Sequence, residues 1–132
     1  MWPRVDGMRG LELGSPGAVR DRLNALVLAG EKRATTVLLA EYAEEAEGMD
    51  HPGERQALLD NDGRRVATLE ITGVATHLFG EVPWEHAAAE GEGDASVEEW
   101  RAGHRRYWAE AGTPVDDATP VVCVAFRVLE DG

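Results

Sequence analysis

The sequence predicts an α+β domain built on a small, mostly antiparallel sheet, either open or closed into a barrel, with flanking helices. Three observations predict it. Asp60-Asn61-Asp62-Gly63 separates two apolar runs and carries the Asp-Gly step of a tight hairpin. Val121 to Leu129 is a β-rich run introduced by Pro120, apolar enough at its centre to be buried on both faces. Two segments of helical period, one near each end of the chain, interrupt the strands and rule out an all-β arrangement.

The elements follow in chain order. Residues 1–14 show little periodicity and read as an N-terminal arm, loosely held, ahead of a single domain over 15–132. Ser15-Pro16 reads as an N-cap and first helical position, Val19, Leu23, Leu26 and Val27 recur at helical spacing, and Gly30 reads as the left-handed C-cap. Val37 to Ala46 is rich in helix formers and predicts a short helix ending at Gly48, with a strand over Thr35 to Leu39 as the alternative. Met49 to Glu54 is turn chemistry. Gln56 to Leu59 and Arg65 to Gly73 form the hairpin, and Val74 to Leu78 continues the second strand past a bulge at Gly73. Helices follow over Pro83 to Glu90 and Ser96 to Ala111, the second opened by the capping box Ser96-Val97-Glu98-Glu99.

Composition narrows the function classes. The 132 residues suit one domain, and no apolar run approaches the roughly 18 residues that span a bilayer. Met1 to Asp6 lacks the apolar core of a secretory signal, and Cys123, the lone cysteine, sits in an apolar strand as a structural thiol. A cytoplasmic protein without a membrane partner is the expectation. With 25 acidic against 13 basic residues the net charge is −12, a field that repels long nucleic acid before contact. Arg101, His104, Arg105 and Arg106 could form a local basic stripe on one helix, or a solvated face. Oligomeric state is not legible.

The chemistry concentrates in Gly30-Glu31-Lys32-Arg33-Ala34-Thr35-Thr36. A threonine hydroxyl attacks only when a neighbouring base removes its proton, and a lysine serves as that base when its environment disfavours the ammonium. If the segment after Gly30 is a helical turn, Lys32 and Thr35 share a face. If it is extended, they need a bend to converge. Glu92 and Asp94 sit in an acidic glycine-rich loop with too few spaced oxygen ligands for a calcium site, and the histidines lack zinc spacing, so no metal or other cofactor is expected. Trp100, His104, Tyr107 and Trp108 lie on one helical face, which is either core packing or a stacking surface.

The ordered set Gly30-Glu31-Lys32-Arg33-Ala34-Thr35, Glu81-Val82, His86-Ala87, Glu90-Gly91-Glu92-Gly93-Asp94 and Trp100-Arg101-x-x-His104 resembles the ASCH domain family. That resemblance runs from about Ser15 to Leu129 and implies a small β-barrel of PUA-like type. It also implies three functions to choose among: RNA binding without catalysis, metal-dependent ribonuclease activity, and the hydrolysis of N4-acetylcytidine known for one bacterial member. By the last analogy Lys32, Thr35 and Glu90 are the catalytic residues. Gly30, Arg33, Glu92, Asp94, Trp100 and His104 then bind substrate. The ligand expected is a nucleoside-like small molecule, with Lys32 either a base or an oxyanion stabiliser. The loop Gly91 to Asp94 is larger and more acidic than in that relative.

Overall fold

The computed structural model describes residues 2–43, 45 and 48–129. Among them six strands form one sheet: β1 (Arg4–Val5), β2 (Met8–Leu11), β3 (Ala34–Leu38), β4 (Arg55–Leu59), β5 (Arg65–Leu78) and β6 (Pro120–Leu129). Their spatial order is β1-β2-β4-β5-β6-β3, and every neighbouring pair is antiparallel except β2 with β4. Among the described residues no pairing joins the end strands β1 and β3, so hydrogen bonds do not close the barrel. Among the described residues three α-helices complete the α+β domain: α1 (Ala18–Leu28), α2 (Trp84–Ala89) and α3 (Val97–Glu110).

The alternation of β5 explains its imperfect sequence pattern. Leu69 and Ile71 are buried in one core, and beyond the bulge it is Val74 that packs against the same core. The register shifts between Ile71 and Gly73, where Ile71 pairs with Phe126 and Gly73 with Ala125. One extra residue exchanges the two faces of a strand, so the apolar positions move from odd to even numbers. Strand β6 is buried on both faces because each face serves a different core. Val122, Val124 and Phe126 join Leu11, Leu23, Leu58 and Leu69, whereas Val121 and Cys123 join Phe79, Trp100 and Trp108. Burial pushes the Cys123 thiol up to about 12, which makes it an inert structural group.

Three local expectations are corrected. Residues 1–14 are not a loose arm throughout, because β1 and β2 lie there and Leu11 and Leu13 enter the first core. Arg9 anchors this segment: it is 1% exposed, its Nε and Nη2 lie 2.7 and 2.6 Å from the two Glu54 oxygens, and Nη2 reaches the Met49 carbonyl. A charged residue in a glycine-rich run gives no apolar periodicity, so its burial was invisible to pattern. Helix α1 starts at Ala18 rather than at Pro16, with Gly17 in its N-cap at φ 106. The helix expected over Val37 to Ala46 gives way to its alternative, a strand (β3), followed by a 3-10 turn at Leu39–Tyr42, since pairing with β6 overrides helix propensity. Residues 44, 46 and 47 of that expectation lie outside the described residues.

Other elements match. The hairpin turn closes with Asp60 N–H on the Arg64 carbonyl at 2.9 Å, and Ser96 caps α3 by accepting from Glu99 N–H at 3.2 Å. No helix among the described residues is long and apolar enough to cross a membrane. Arg9→Ala would leave the buried Glu54 carboxylate without its bidentate partner. We expect a loss of about 3–5 kcal/mol in urea unfolding, and a loss under 1 kcal/mol would show that β2 is not fixed by this contact.

Candidate functional site

Lys32 is placed by the end of α1. Gly30 adopts φ 80, the left-handed geometry that ends the helix, and the Glu31 and Lys32 N–H groups both donate back to the Leu26 carbonyl at 3.0 and 3.1 Å. The chain then enters β3 extended. Arg33 N–H donates to the Ala89 carbonyl at 2.7 Å, which pins this entry against the end of α2. Gly91 follows directly, at φ 66, and a Cβ there would lie 2.0 Å from the Glu31 carbonyl oxygen. Glycine is therefore required for α2 and the Lys32 segment to approach this closely.

The consequence is a buried ion cluster centred on Glu90, which is 1% exposed. Lys32, 2% exposed, donates to Glu92 Oε2 at 2.7 Å and to the Glu90 carbonyl at 3.5 Å, with Glu90 Oε1 at 3.7 Å. His104 Nε2 lies 3.3 Å from Glu90 Oε1, while its Nδ1 is 2.9 Å from the Trp100 carbonyl. A carboxylate and a carbonyl both accept, so the imidazolium, with two N–H donors, satisfies both contacts. Its ring stacks on Trp100 with centroids 4.1 Å apart. On the other Glu90 oxygen, Oε2, Thr36 Oγ1 donates a hydrogen bond and His86 Nε2 lies 3.2 Å away. Thr36 Oγ1 and His86 Nε2 are themselves 2.7 Å apart.

These neighbours decide the protonation of the cluster. Burial on its own raises the Glu90 carboxyl, but the Lys32 charge and the two imidazoles outweigh it and hold Glu90 well below its ordinary 4.5. Burial lowers His104, and the hydrogen bond and charge of Glu90 outweigh that effect, leaving it above its ordinary 6.5. The Lys32 nitrogen makes two hydrogen bonds as donor, with Glu90 Oε1 close by, and none with a threonine hydroxyl among the described residues. Lys32 is arranged to donate rather than to accept a proton.

Beside the cluster opens a cavity of about 430 Å³ lined by Lys32, Thr35, Thr36, Glu90, Glu92, Asp94 and His104, among others. It therefore gathers Lys32, Thr35 and Glu90 although 55 residues separate the last two. Thr35 and Thr36 lie on opposite faces of edge strand β3. Thr36 is the one joined to Glu90, and the Thr35 hydroxyl has no hydrogen-bond partner among the described residues. Three expected substrate contacts are absent from the lining. Trp100 is 0% exposed inside the second core, Gly30 serves the helix end, and Arg33 is exposed with its backbone spent on Ala89 and Phe126. The basic stripe also has structural uses: Arg101 donates to the Val82 carbonyl at 3.0 Å, and Arg105 pairs with Asp117 at 2.6 Å.

Sequence reasoning passed over Thr36 as a site residue and used His86 only as a landmark. The signal was present in strand alternation, because in an extended run Lys32 shares a side with Thr36 and not with Thr35. Among the described residues no group of three histidine, cysteine or carboxylate side chains could hold a metal ion.

The ASCH domain profile matches residues 11–130, nearly the whole chain. The chain belongs to the ASCH domain family. Two solved structures extend the likeness. An ASCH domain from Lactobacillus crispatus JV V101 is 29% identical with a TM-score of 0.76, over 90% of this chain and 77% of that one. Protein EF3133 from Enterococcus faecalis V583 is 26% identical with a TM-score of 0.78, over 91% of this chain and 75% of that one. A third, the hypothetical protein PH0355, shares the fold at 19% identity and a TM-score of 0.59 over 91% of this chain and 95% of that one. No protein of curated function matches this ASCH domain.

The cluster makes the stability of the ASCH domain depend on pH from both sides. His104, raised on folding, stabilises fully below its ordinary 6.5, and that contribution is lost as pH rises through the folded value. Glu90, depressed on folding, stabilises above 4.5, and its contribution is lost as pH falls through the folded value. Thermal melting should be highest between these limits. His104→Gln should flatten the alkaline decline, and an unchanged slope in that variant would assign the decline elsewhere.

Proposed function

We propose that this ASCH domain binds a nucleoside-like small molecule in the cavity and removes an acyl group from it, with N4-acetylcytidine or a related acylated nucleoside as substrate. The observation that carries this reading is the buried Lys32–Glu90 pair, which borders a cavity of about 430 Å³. Burying two ionisable groups costs several kcal/mol unless their arrangement is closely satisfied, and buried charges set in clefts cluster at working sites. The volume is in the range of small-ligand sites and suits a nucleoside.

The geometry supports the following roles. Amide hydrolysis develops negative charge on the acyl oxygen, and the Lys32 ammonium can donate to it once Glu92 yields its place. A hydroxyl of the Thr35-Thr36 pair supplies the nucleophile, and His104 holds Glu90 in its charged form. The cavity wall carries Glu12, Glu41, Glu90, Glu92 and Asp94 against Lys32 alone among lysines and arginines. Such a wall favours a neutral ligand over a phosphorylated one, and the −12 net charge acts in the same sense on RNA.

Purified protein should release cytidine from N4-acetylcytidine. Lys32→Ala should slow release at least about a hundredfold, as loss of one oxyanion donor does, while Glu90→Gln should lower kcat more than it raises KM. A panel of acylated nucleosides that yields no product from the wild type would end the reading.

For RNA, filter binding at physiological salt should detect no sequence-general affinity. Tight binding with a steep salt slope would favour the RNA-module reading instead.

A further inference from the structure

Two carboxylates, Glu90 and Glu92, face the cations Lys32 and His104, and they are held differently. Glu90 is enclosed, with partners on both oxygens. The Glu92 side chain is 24% exposed, and its carboxylate makes one hydrogen bond among the described residues, the 2.7 Å contact from Lys32. The backbone beneath it is fixed, because Gly91 packs on the Glu31 carbonyl and the Glu92 carbonyl accepts from Arg22 Nη2 at 3.2 Å. Gly91 and Gly93, at φ 66 and 93, let the loop turn sharply on either side of Glu92. Lys32 therefore meets the cavity through an exchangeable partner, and that partner itself lines the cavity.

Resting on the reading of the site as an acyl hydrolase, we infer that the Lys32 ammonium is the binding site for the ligand's acyl oxygens and that Glu92 is its internal competitor, which weakens the hold on substrate and expels the acid product. A neutral acyl oxygen that takes the place of Glu92 leaves Lys32 and His104 facing one carboxylate instead of two. The oxyanion that develops on the same oxygen restores the missing negative charge. Displacing Glu92 thus opposes the bound substrate more than the transition state, which is the direction that raises kcat. Hydrolysis adds water across the carbon–nitrogen bond. The hydroxyl joins the acyl carbon, the nitrogen leaves with a proton, and the acid released ionises at neutral pH. This carboxylate balances the two cations as well as Glu92 does, so without a competitor it would stay on Lys32. A tethered carboxylate competes at an effective concentration on the order of millimolar. Glu12, Glu41 and Asp94 on the same wall repel the free acid in the same direction. Asp94 makes no ion pair with Lys32 among the described residues, which leaves Glu92 as the competitor.

The test is a titration of the whole chain with sodium acetate at constant ionic strength, followed by backbone amide NMR shifts, in the wild type and in Glu92→Gln. We expect the acetate Kd to fall at least about tenfold in Glu92→Gln, the scale on which loss of a tethered competitor acts, with shifts centred on Lys32 and Gly91. Acetamide, the neutral isostere, should gain less than acetate. An equal acetate Kd in the two proteins, shifts centred elsewhere, or an equal gain for acetamide would overturn the inference. So would a Glu92→Gln chain that fails to fold, because Glu92 would then be a structural partner and not an exchangeable one. The titration needs no turnover, so the two readings fail separately. Tighter acetate binding in Glu92→Gln with no cytidine released from N4-acetylcytidine counts against the hydrolase while the competition for Lys32 stands. Cytidine release with an unchanged acetate Kd overturns the competition alone.

Discussion

The Glu90 carboxylate is the point on which the site depends. It is buried, charged and reached from four directions: by Lys32 after α1, by Thr36 on β3, by His86 one turn earlier on α2 and by His104 on α3. A carboxylate taken from water must find donors for both oxygens or become neutral. Here the donors come from separate elements, so its charge is satisfied only when those elements are correctly packed. The same group thus links the strand edge to two helices and orders the side chains around the cavity.

Backbone contacts make that convergence possible. Arg33 N–H on the Ala89 carbonyl fixes the approach of β3 to α2, and Gly91 lets the two segments close to a distance that any side chain would block. Below them, the Phe79–Trp100–Trp108 core gives α3 a rigid base, and His104 stacks on the cavity side of Trp100. Trp100, fully buried in that core, supports His104 through packing.

How much of this was legible in the sequence depended on whether the signal was local. The hairpin at Asp60 to Gly63, the bulge at Gly73 and the cap at Ser96 each follow from a few neighbouring residues, and each appears where the residues predict it. Lys32 was legible from its own chemistry, but Glu90 and its meeting with Lys32 were legible only through family motifs, because nothing near either residue shows that they meet. Thr36 was hidden by the ambiguity of its segment, since the strand periodicity that places it beside Lys32 depends on pairing with β6. Residues 37–42 misled for the same reason, with helix-forming side chains held extended or in a 3-10 turn by a distant partner. Arg9 is a further case, its burial set by Glu54, 45 residues away.

The parallel pairing of β2 with β4 bears on how the chain assembles. Arg9 aligns with Gln56, so this contact closes a long loop, whereas β4 and β5 meet across the short turn between Leu59 and Arg65. Loop-closure entropy favours early formation of the hairpin and delays the distant pairing. Strand β2 leaves the ribosome before β4 yet has no template until β4 is in place. Its Leu11 and Arg9 must wait in solvent, and a strand made before its partner settles only after it.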